Sequence, residues 1–480
     1  MKVLFCAFGS TFKPHFEFEL EILLDHLEKG DEVYMVQCLG ELKHCWLNLS
    51  AKKGKCKYCV EKFNYAFEVL NLPGKIKVSL PKVDVPREAY DREFQNINEL
   101  INYSYGGFKQ LGSGVASIVI DATADHAPDT VENREMISDF IKSSFYAYRS
   151  LDTLVKEMKP DLAYVFNGRA LNYRAALEVM QNNNVQFFTH ERGNSFDKYL
   201  LFPNSICHSF ALAKKRVLEL WAEDNPDKEK IGREYFERRR AGKTTSWKSY
   251  TKSQTKNLLP KDFDSSKKNI TIFNTSISEY VCIPDLGTTV YPSDNEGIEC
   301  IARELANKPG YFLYLRVHPN LKDKKHNTQM REITALSKKN IPNFKVIMPW
   351  EPVDTYALIN ASDKVITFGS TVGIEATYWG RPSIQVGTAY HKHDLDVTYS
   401  PETHEEVVKL ILTDNLPPKP QINAVKCGLM ESYAGIKSKY YKPETSVTGT
   451  FKGRYLIPPH RILKRLEFLQ RRIKFLIKGW

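Results

Sequence analysis

The repeated alternation of short apolar runs with stretches of helical hydrophobic spacing is the feature that most constrains this chain. Residues 2–8 and 32–37 are apolar runs, and Gly30 precedes the second of them. Between the two runs, apolar residues recur at helical spacing: Phe16, Leu20, Leu23, Leu24 and Leu27. A strand, a helix and a second strand in this order form a βαβ unit, which requires parallel strands and a right-handed crossover. The first third of the chain is therefore predicted to form a doubly wound α/β domain.

The alternation continues along the chain in two series. The first series predicts further strands at 115–120, 162–166 and 185–189, and helices at 133–158 and 169–182. The second predicts strands at 270–273, 312–317, 344–348, 364–368 and 383–386, and helices near 295–307, 325–339, 353–360, 371–379 and 403–413. Two such series predict two Rossmann-like doubly wound domains facing a cleft that holds the ligand, the architecture known as GT-B.

The positive charge is concentrated in two segments of the chain. Of the 480 residues, 68 are Lys or Arg and 57 are Asp or Glu, which gives a formal net charge of +11. Residues 211–270 contribute +7 and residues 461–480 contribute +6, which leaves −2 for the rest. A nucleic-acid-binding protein would carry a basic stripe across its folded domains. The distribution instead indicates a nearly neutral enzyme body without a nucleic-acid partner.

The composition also predicts the boundaries of the domains. The segment 218–268 is polar, basic and poor in aliphatic residues after Trp221, which is typical of a helix followed by an inter-domain linker. We therefore expect an N-terminal domain over 1–217, this linker, a C-terminal domain over 269–440, and an extension over 441–480.

The last twenty residues predict a basic amphipathic helix. Its apolar stripe runs at spacings of three and four residues: Ile462, Leu466, Leu469, Ile473, Leu476 and Trp480. Such a helix suits the interface of an anionic membrane, or else it packs back onto the first domain. No apolar run reaches the roughly 18–20 residues needed to span a bilayer, and residues 2–8 lack the cleavage site of a signal peptide. We expect a cytoplasmic protein, peripheral on the inner face of the cytoplasmic membrane.

Two motifs in the second series predict a phosphate-binding site. Arg316, His318 and Pro319 follow a predicted strand at the sheet edge where α/β proteins bind ligands, although a solvated strand end would look the same. Later in the chain, a strand leads into a turn with Ser370 and Thr371 and then into a helix containing Glu375. The two hydroxyl residues can cap that helix, its N–H groups can face an anion, and Glu375 can accept hydrogen bonds from ribose hydroxyls.

These segments resemble a known group of enzymes. The run RVHPN at 316–320 and the run at 362–384 are similar to GT-B glycosyltransferases of bacterial capsule and lipopolysaccharide synthesis, a group that includes Kdo transferases and polysialyltransferases. The resemblance implies that the donor's nucleotide phosphates are held by His318, Pro319, Ser370 and Thr371. It also matches the turn with Asn274, Thr275 and Ser276 to the first loop of the donor domain. The acidic-acidic-Gly base motif of polysialyltransferases has no counterpart here, because the similar string at 294–297 lies in the second domain.

The resemblance implies that the first domain holds the acceptor and the catalytic base. Asn167, Arg169 and Arg174 follow one predicted strand and, with the Gly9 turn, are candidates for acceptor binding. For the base we favour Glu191 or His190 after the strand 185–189. A structural ion pair between Glu191 and Arg192 is the alternative. Two further candidates for the base are Asp121, after the expected strand 115–120, and His15.

Four of the nine cysteines cluster in the sequence. Cys56 and Cys59 form a C-x₂-C pair that Cys38 and Cys45 could complete as a structural zinc site, with His44 as a possible substitute ligand. Reduced thiols without metal are the open alternative, and disulfides are not expected in the cytosol. The Asp-x-Asp strings at 262–264 and 394–396 do not close a predicted strand, so we interpret them as chance matches and expect catalysis without a metal cofactor.

Together these features predict a metal-independent, inverting glycosyltransferase. It would transfer a sugar from a CMP-, UDP- or GDP-linked donor to a capsular or O-antigen polysaccharide or a lipid-linked saccharide acceptor. Two alternatives stay open at this stage: a polyol-phosphate transferase of the teichoic-acid type, and a non-catalytic nucleotide-binding subunit of a capsule assembly complex.

Overall fold

The structure, a computed structural model, describes residues 1–243, 253–279, 281–283, 286, 289–324, 327–445 and 448–461. The chain divides into two compact units. Unit 1 contains residues 1–119 and 129–207 and, among the described residues, 435–461. Unit 2 contains residues 120–128 and 208–434. This division differs from the expected domains, since the C-terminal segment belongs to unit 1 and part of the expected linker belongs to unit 2.

In chain order, the strands of the described residues are β1 (Lys2–Cys6), β2 (Glu32–Gln37), β3 (Lys77–Ser79), β4 (Leu162–Phe166), β5 (Gln186–Arg192), β6 (Lys198–Pro203), β7 (Lys268–Phe273), β8 (Tyr311–Arg316), β9 (Phe344–Ile347), β10 (Lys364–Thr367), β11 (Ser383–Gln385), β12 (Ile436–Lys437), β13 (Tyr441–Pro443) and β14 (Gly449–Phe451). The helices are α1 (His15–Glu28), α2 (Lys53–Val69), α3 (Ile97–Ile101), α4 (Leu111–Thr123), α5 (Arg134–Met158), α6 (Leu171–Asn182), α7 (Phe210–Ala222), α8 (Lys228–Arg240), α9 (Asp294–Leu305), α10 (Thr328–Ser337), α11 (Thr355–Ala361), α12 (Val372–Tyr378), α13 (His404–Leu412) and α14 (Gln421–Tyr433).

Unit 1 is built on a sheet with the strand order β12-β6-β5-β4-β1-β2-β3. Strands β3, β2, β1, β4 and β5 are parallel, and β6 and β12 add an antiparallel edge. The predicted strands at 2–8, 32–37, 162–166 and 185–189 and the helices at 133–158 and 169–182 are confirmed in their main part. Helix α1 is buried on most sides, so its apolar residues join β1 and β2 in one core.

One element predicted for unit 1 is wrong. Residues 115–120 lie in helix α4, although we expected a strand there. The apolar residues of the run 115–120 are fully buried, so its hydrophobic pattern is nearly continuous and does not show a helical period. Gly114 permits the close packing, because a Cβ at that position would lie 2.9 Å from Cβ of Arg174.

Unit 2 is built on an all-parallel sheet with the strand order β11-β10-β7-β8-β9. All five strands expected from the second series are present, and the expected helices are observed as α9 to α13 within about three residues of their predicted ends. The apolar residues of β7, β8 and β10 pack against α9 and α10 on one face and against α11 and α12 on the other. The α/β class and the two doubly wound sheets are therefore as predicted.

The segment 218–268, expected to be a helix and a linker, contains the end of α7 and the whole of α8. Helix α8 packs closely on α14 at Gly232. A side chain at this position would not fit, since a Cβ would lie 2.3 Å from the carbonyl oxygen of Val425. The predicted amphipathic helix at 461–480 lies outside the described residues from 462 onward. Among the described helices, none is both long and apolar enough to cross a membrane.

Candidate functional site

Three neighbouring loops meet at the carboxyl edge of the unit 2 sheet. They follow β10, β7 and β8, which are adjacent and parallel, so their ends emerge side by side. The loop after β7 carries Asn274, Thr275 and Ser276, the loop after β8 carries His318, and the loop after β10 carries Ser370 and Thr371. The fold therefore brings together the predicted donor-binding residues of all three motifs.

Asn274 joins two of these loops. Its side-chain oxygen accepts a hydrogen bond of 2.8 Å from the backbone N–H of His318. Asn274 is 1% exposed, and its Nδ2 has no hydrogen-bond partner in the part of the chain that the structure describes. Nδ1 of His318 accepts from the backbone N–H of Asn320 at 3.1 Å, which places the proton of the neutral ring on Nε2. Both side chains thus present N–H groups at this edge.

Thr275 and Ser276 connect the loop to an acid and a base. The hydroxyl of Thr275 donates to Oδ2 of Asp294 at 2.9 Å, and burial raises the pKa of Asp294 to about 7. Nζ of Lys324 lies 3.3 Å from Oγ of Ser276 and 3.0 Å from Oγ of Ser278. The loop therefore has a cationic neighbour and a carboxyl group that loses its negative charge near neutral pH.

The turn after β10 is held close to the other loops. Gly369 has a φ of +143°, and a Cβ there would lie 2.9 Å from the carbonyl oxygen of Thr388 and 3.2 Å from Cγ2 of Thr275. Oγ of Ser370 accepts from the backbone N–H of Val372 at 3.3 Å. Thr371 occupies the N-cap position of α12, but its side chain makes no capping hydrogen bond. Of the two expected caps, Ser370 alone is engaged with the helix.

The side chains of Arg316 and Glu375 are hydrogen-bonded to other residues of the protein and are not available to a ligand at the carboxyl edge of the sheet. The guanidinium of Arg316 donates to the carbonyl oxygens of Met348 and Glu351 at 2.8 and 3.2 Å, and burial lowers its pKa to about 10. Both carboxylate oxygens of Glu375 are bonded, one to Arg239 at 3.0 Å and the other to Tyr356 at 2.6 Å. The phosphate and ribose roles predicted for these two residues therefore have no support from their geometry.

His391 is a buried histidine that the sequence did not single out. It is 1% exposed, and neither ring nitrogen has a hydrogen-bond partner among the described residues. Nε2 of His391 would be 3.4 Å from a Cβ on Gly373, at the start of α12. Burial lowers the pKa of His391 to about 3, so the ring is neutral at physiological pH.

In unit 1, the carboxyl edge of the sheet holds an imidazole next to a carboxylate. Nε2 of His15 lies 3.3 Å from Oε1 of Glu191. The other carboxylate oxygen accepts from Nδ2 of Asn167 at 2.7 Å, and Oε1 also accepts the backbone N–H of Arg192 at 2.9 Å. Burial is the main cause that lowers the pKa of His15 well below its usual value, and His190 and Arg192 lower it further. His15 is therefore a buried, neutral imidazole beside a carboxylate, and neither of its ring nitrogens forms a hydrogen bond among the described residues.

His190, the second residue that we favoured as the base, has a different environment. It is 0% exposed, and its Nε2 lies 3.0 Å from Oε1 of the buried Glu19. Both residues 190 and 191 lie within β5, which is longer than predicted and ends at Arg192. The structure brings Glu191 to the edge beside His15 and keeps His190 in the interior. The predicted alternative of a Glu191–Arg192 ion pair has support from the electrostatic attraction between the two side chains, which opposes the lowering of the Arg192 pKa by burial.

The other residues predicted for unit 1 have mixed positions. Arg169 is partly exposed, with its guanidinium 5.8 Å from the ring centroid of Trp46. Arg174 is 1% exposed and donates to the carbonyl oxygen of Arg169 at 3.1 Å, so it cannot reach an acceptor. Gly9 allows a close approach, because a Cβ there would lie 2.1 Å from Cδ1 of Leu47. Asp121 is exposed on helix α4 and does not follow a strand, which removes the basis for proposing it as the base.

The cysteines and the Asp-x-Asp strings were the metal candidates. In the described residues, no three His, Cys, Asp or Glu side chains form a group at metal-ligand geometry. Cys38, Cys45, Cys56 and Cys59 nevertheless line one cavity of about 20 Å³. His44 is directed elsewhere, with Nδ1 bonded to the carbonyl oxygen of Leu49 at 2.8 Å and Nε2 lying 3.2 Å from Oδ2 of Asp139. Asp262 and Asp394 pair with Lys345 and Lys214 at exposed positions.

Comparison with known proteins gives a family match for unit 2. Residues 266–405 match the family described as "Capsule polysaccharide biosynthesis protein". The matched segment contains the loops after β7, β8 and β10, which confirms over this segment the resemblance to the capsule polysaccharide group. No curated protein sequence matches the chain significantly.

Several solved structures are similar at low identity. Thermosulfurimonas dismutans KpsC, a beta Kdo 2,4 transferase, is 14% identical, with 56% of this chain and 79% of that chain covered and a TM-score of 0.35. MnaA of S. aureus, solved with UDP, is 12% identical over 90% of this chain and 91% of its own, with a TM-score of 0.28. The spinosyn rhamnosyltransferase SpnG is 11% identical over 90% and 96%, with a TM-score of 0.26. Scores of this size identify no substrate.

Proposed function

We propose that this protein is a glycosyltransferase of capsule-type polysaccharide synthesis that uses a nucleotide-sugar donor. The observation that carries the proposal is the meeting of the three loops after β7, β8 and β10 within the segment that matches the capsule polysaccharide family. Nδ2 of the buried Asn274, which has no hydrogen-bond partner among the described residues, lies in one of these loops and is an available donor at the edge where α/β sheets bind ligands.

The groups at this edge suit the phosphates of a nucleotide. Nδ2 of Asn274, Nε2 of His318 and Nζ of Lys324 are all donors, and the hydroxyls of Ser276 and Ser370 lie on the same loops. A negatively charged Asp294 would repel the phosphates. Because its pKa is about 7, a large part of Asp294 is protonated and neutral near neutral pH, which reduces this repulsion. Hydrogen bonds to a charged phosphate are stronger than those between neutral groups. The edge would therefore stabilise the nucleotide diphosphate or monophosphate as it leaves.

For the base of an inverting transfer we propose His15, oriented by Glu191. A neutral imidazole can accept the proton of the acceptor hydroxyl, and the carboxylate 3.3 Å away then stabilises the imidazolium that forms. Asn167 and the backbone of Arg192 hold Glu191 in place. Phe12 and Phe166 pack on the imidazole, with ring centroids 4.6 and 4.2 Å from its own, which limits the access of water.

A binding and turnover experiment tests the proposal. Thermal shift and calorimetry with CMP, UDP and GDP should reveal one nucleotide that binds and stabilises the protein, and its sugar conjugates should be hydrolysed slowly without acceptor. If none of the three nucleotides binds, or if the product polymer gains phosphorus, the proposed sugar transfer is wrong. Binding without any donor turnover would indicate a non-catalytic subunit instead.

We further propose that the segment 461–480 attaches the protein to an anionic membrane surface, where a lipid-linked acceptor would be found. The support is its sequence, which places basic residues beside one apolar stripe. Sedimentation with vesicles of anionic lipid should retain the full chain, and Leu469→Glu should release it. Equal binding to zwitterionic vesicles, or no effect of the substitution, would contradict this attachment.

A further inference from the structure

The four thiols of unit 1 that line one small cavity are not used by the proposed reaction. Cys38 and Cys45 lie in the loop after β2, and Cys56 and Cys59 lie one helical turn apart in α2. We propose that this cysteine cavity is a structural zinc site with the four thiolates as ligands. The proposal is independent of the function proposed above, because the site would fix the fold of unit 1 rather than take part in transfer.

The first observation is that every one of the four sulfur atoms accepts a hydrogen bond from an N–H group. In the order Cys38, Cys45, Cys56 and Cys59, the donors are the backbone N–H of Gly40, the backbone N–H of Leu47, Nδ2 of Asn48 and the backbone N–H of Ser10. A neutral thiol is a weak acceptor, whereas metal-bound thiolates are usually supported by such outer hydrogen bonds. Each of the four sulfurs therefore has a nearby N–H group of the kind that supports a thiolate ligand.

The second observation is the local charge. Zinc with four thiolates carries a net charge of −2, which needs positive surroundings. Lys55 lines the cavity, and Lys52, Lys53 and Lys57 lie on either side of it in sequence. Cys56 lies in the first turn of α2, which contains no acidic residue, and the positive end of the helix dipole favours a thiolate there.

The third observation is the size of the cavity and the freedom of its side chains. The cavity of about 20 Å³ has room for one ion or one water-sized body. The thiols do not form a ligand group as they stand, so ligation requires rotation about χ1, the single torsion that places each Sγ. A metal entering the cavity must displace the protons of the thiols that bind it.

The cavity lies where a metal would connect three segments. The hydroxyl of Ser10, in the loop after β1, donates to the carbonyl oxygen of Cys59 at 2.6 Å. Gly9 in the same loop leaves room for Leu47 of the segment between β2 and α2. A zinc ion would therefore hold this segment and α2 against the loop that leads to His15.

The experiment uses the full chain produced in zinc-supplemented medium and purified without chelator. Elemental analysis should find about one zinc per chain, and X-ray absorption should show about four Zn–S contacts near 2.3 Å. Cobalt substitution should produce the thiolate-to-cobalt charge-transfer band and the visible bands of a tetrahedral site. Cys56→Ser should lower the zinc content to near zero, whereas Cys300→Ser, at an exposed cysteine outside the cavity, should leave it unchanged.

The wild-type measurements keep the proposal testable if Cys56→Ser does not fold. Wild-type protein without zinc above background, with the four thiols modified by a thiol reagent after unfolding, would overturn it. An intact mass that shows a disulfide between two of these cysteines would overturn it as well. Because nucleotide binding is measured separately, failure here leaves the function proposed for unit 2 unaffected.

Discussion

At the carboxyl edge of the unit 1 sheet, acids and imidazoles are buried against one another. His15 faces Glu191 at this edge, and His190 faces Glu19 in the interior below it. The same edge of the unit 2 sheet holds an amide, hydroxyls, an imidazole and a lysine, and the carboxyl group of Asp294 there has its pKa raised toward neutrality. The first arrangement can move a proton, whereas the second can hold an anion. Two sheets of the same kind therefore provide different chemistry through the side chains at their strand ends.

The comparison predicts that substitutions at the edge of unit 1 change the rate of transfer, whereas substitutions at the edge of unit 2 change the affinity for the nucleotide. The largest effect is expected at the edge of unit 1. His15→Ala and Glu191→Gln should lower the rate of transfer by about 100-fold or more, because general base catalysis contributes on the order of 10²–10⁴. The nucleotide affinity of both variants should stay at the wild-type value. Steady-state kinetics and calorimetry measure the two quantities.

The control for this prediction is His460→Asn, an exposed histidine next to Glu61. It should change neither quantity. A His15→Ala variant with the wild-type rate would show that the edge of unit 1 does not supply the base, and the contrast between the two edges would fail.

The reverse pattern is expected at the edge of unit 2. Asn274→Asp keeps the acceptor for the N–H of His318 but replaces the amide N–H with negative charge, and should weaken nucleotide binding at least about tenfold. Lys324→Met should weaken it by a smaller factor. Calorimetric titration with the nucleotide that binds the wild type measures both changes.

A neighbouring lysine offers the matched control. Lys322 is exposed and close in sequence to Lys324, so Lys322→Met should bind nucleotide as the wild type does. Equal losses for the two lysines would mean that general surface charge, and not the loop cluster, attracts the nucleotide.

The buried His391 makes the stability of unit 2 sensitive to acid. Its pKa is about 3 in the folded protein and near 6.5 when unfolded, so the unfolded state gains a proton first as the pH falls. The stability of unit 2 should therefore decrease by about 2 kcal/mol between pH 6.5 and 4.5, and His391→Gln should reduce this decrease. Hydrogen exchange of the β10 amides at the two pH values measures it. An identical decrease in wild type and variant would refute the assignment.

The smallest effect on stability is expected for Asp294. It has the opposite pH dependence to that of His391, since stability is lost as the pH rises. Its folded pKa of about 7 exceeds the usual value of 3.8, so the folded state holds its proton longer and stability decreases as the pH rises from about 4 to 7. Relative to wild type, Asp294→Asn should gain about 1–2 kcal/mol between pH 6 and pH 8. Urea unfolding at the two pH values tests this, with the exposed Asp262→Asn as a control that should show no such gain.

Much of the fold could be predicted because strands and helices leave a local period in the sequence. All five strands of unit 2 were predicted, since parallel strands buried on both faces read as short apolar runs between helices. The same rule produced the error at α4, because a helix buried on all sides is also a continuous apolar run. The antiparallel β6, which extends the sheet of unit 1 beyond β5, was not predicted from the sequence.

The candidate sites divide in a similar way. The loops with Asn274, His318 and Ser370 were predicted because each follows an apolar strand and has a recognisable composition. Asp294 was not predicted as a site residue, because the acidic string that it begins lies in the second domain and was set aside as a base motif. Lys324 and His391 were not predicted either, since nothing in their local sequence distinguishes them. Their signal is burial and proximity to residues distant in the chain, as between Lys324 and Ser276.

The sequence by itself determined the α/β class, the two parallel sheets and the loops of unit 2 that carry the family match, because these depend on local periodicity and short motifs. Tertiary structure decided which charged side chains can contact a ligand and which are bound to other residues of the protein. It paired Glu375 with Arg239 and Tyr356, buried Arg174, and placed His15 against Glu191, 176 positions away in the chain. A side chain's charge and reach depend on the desolvation and partners that packing imposes, and these come from residues far apart in the sequence.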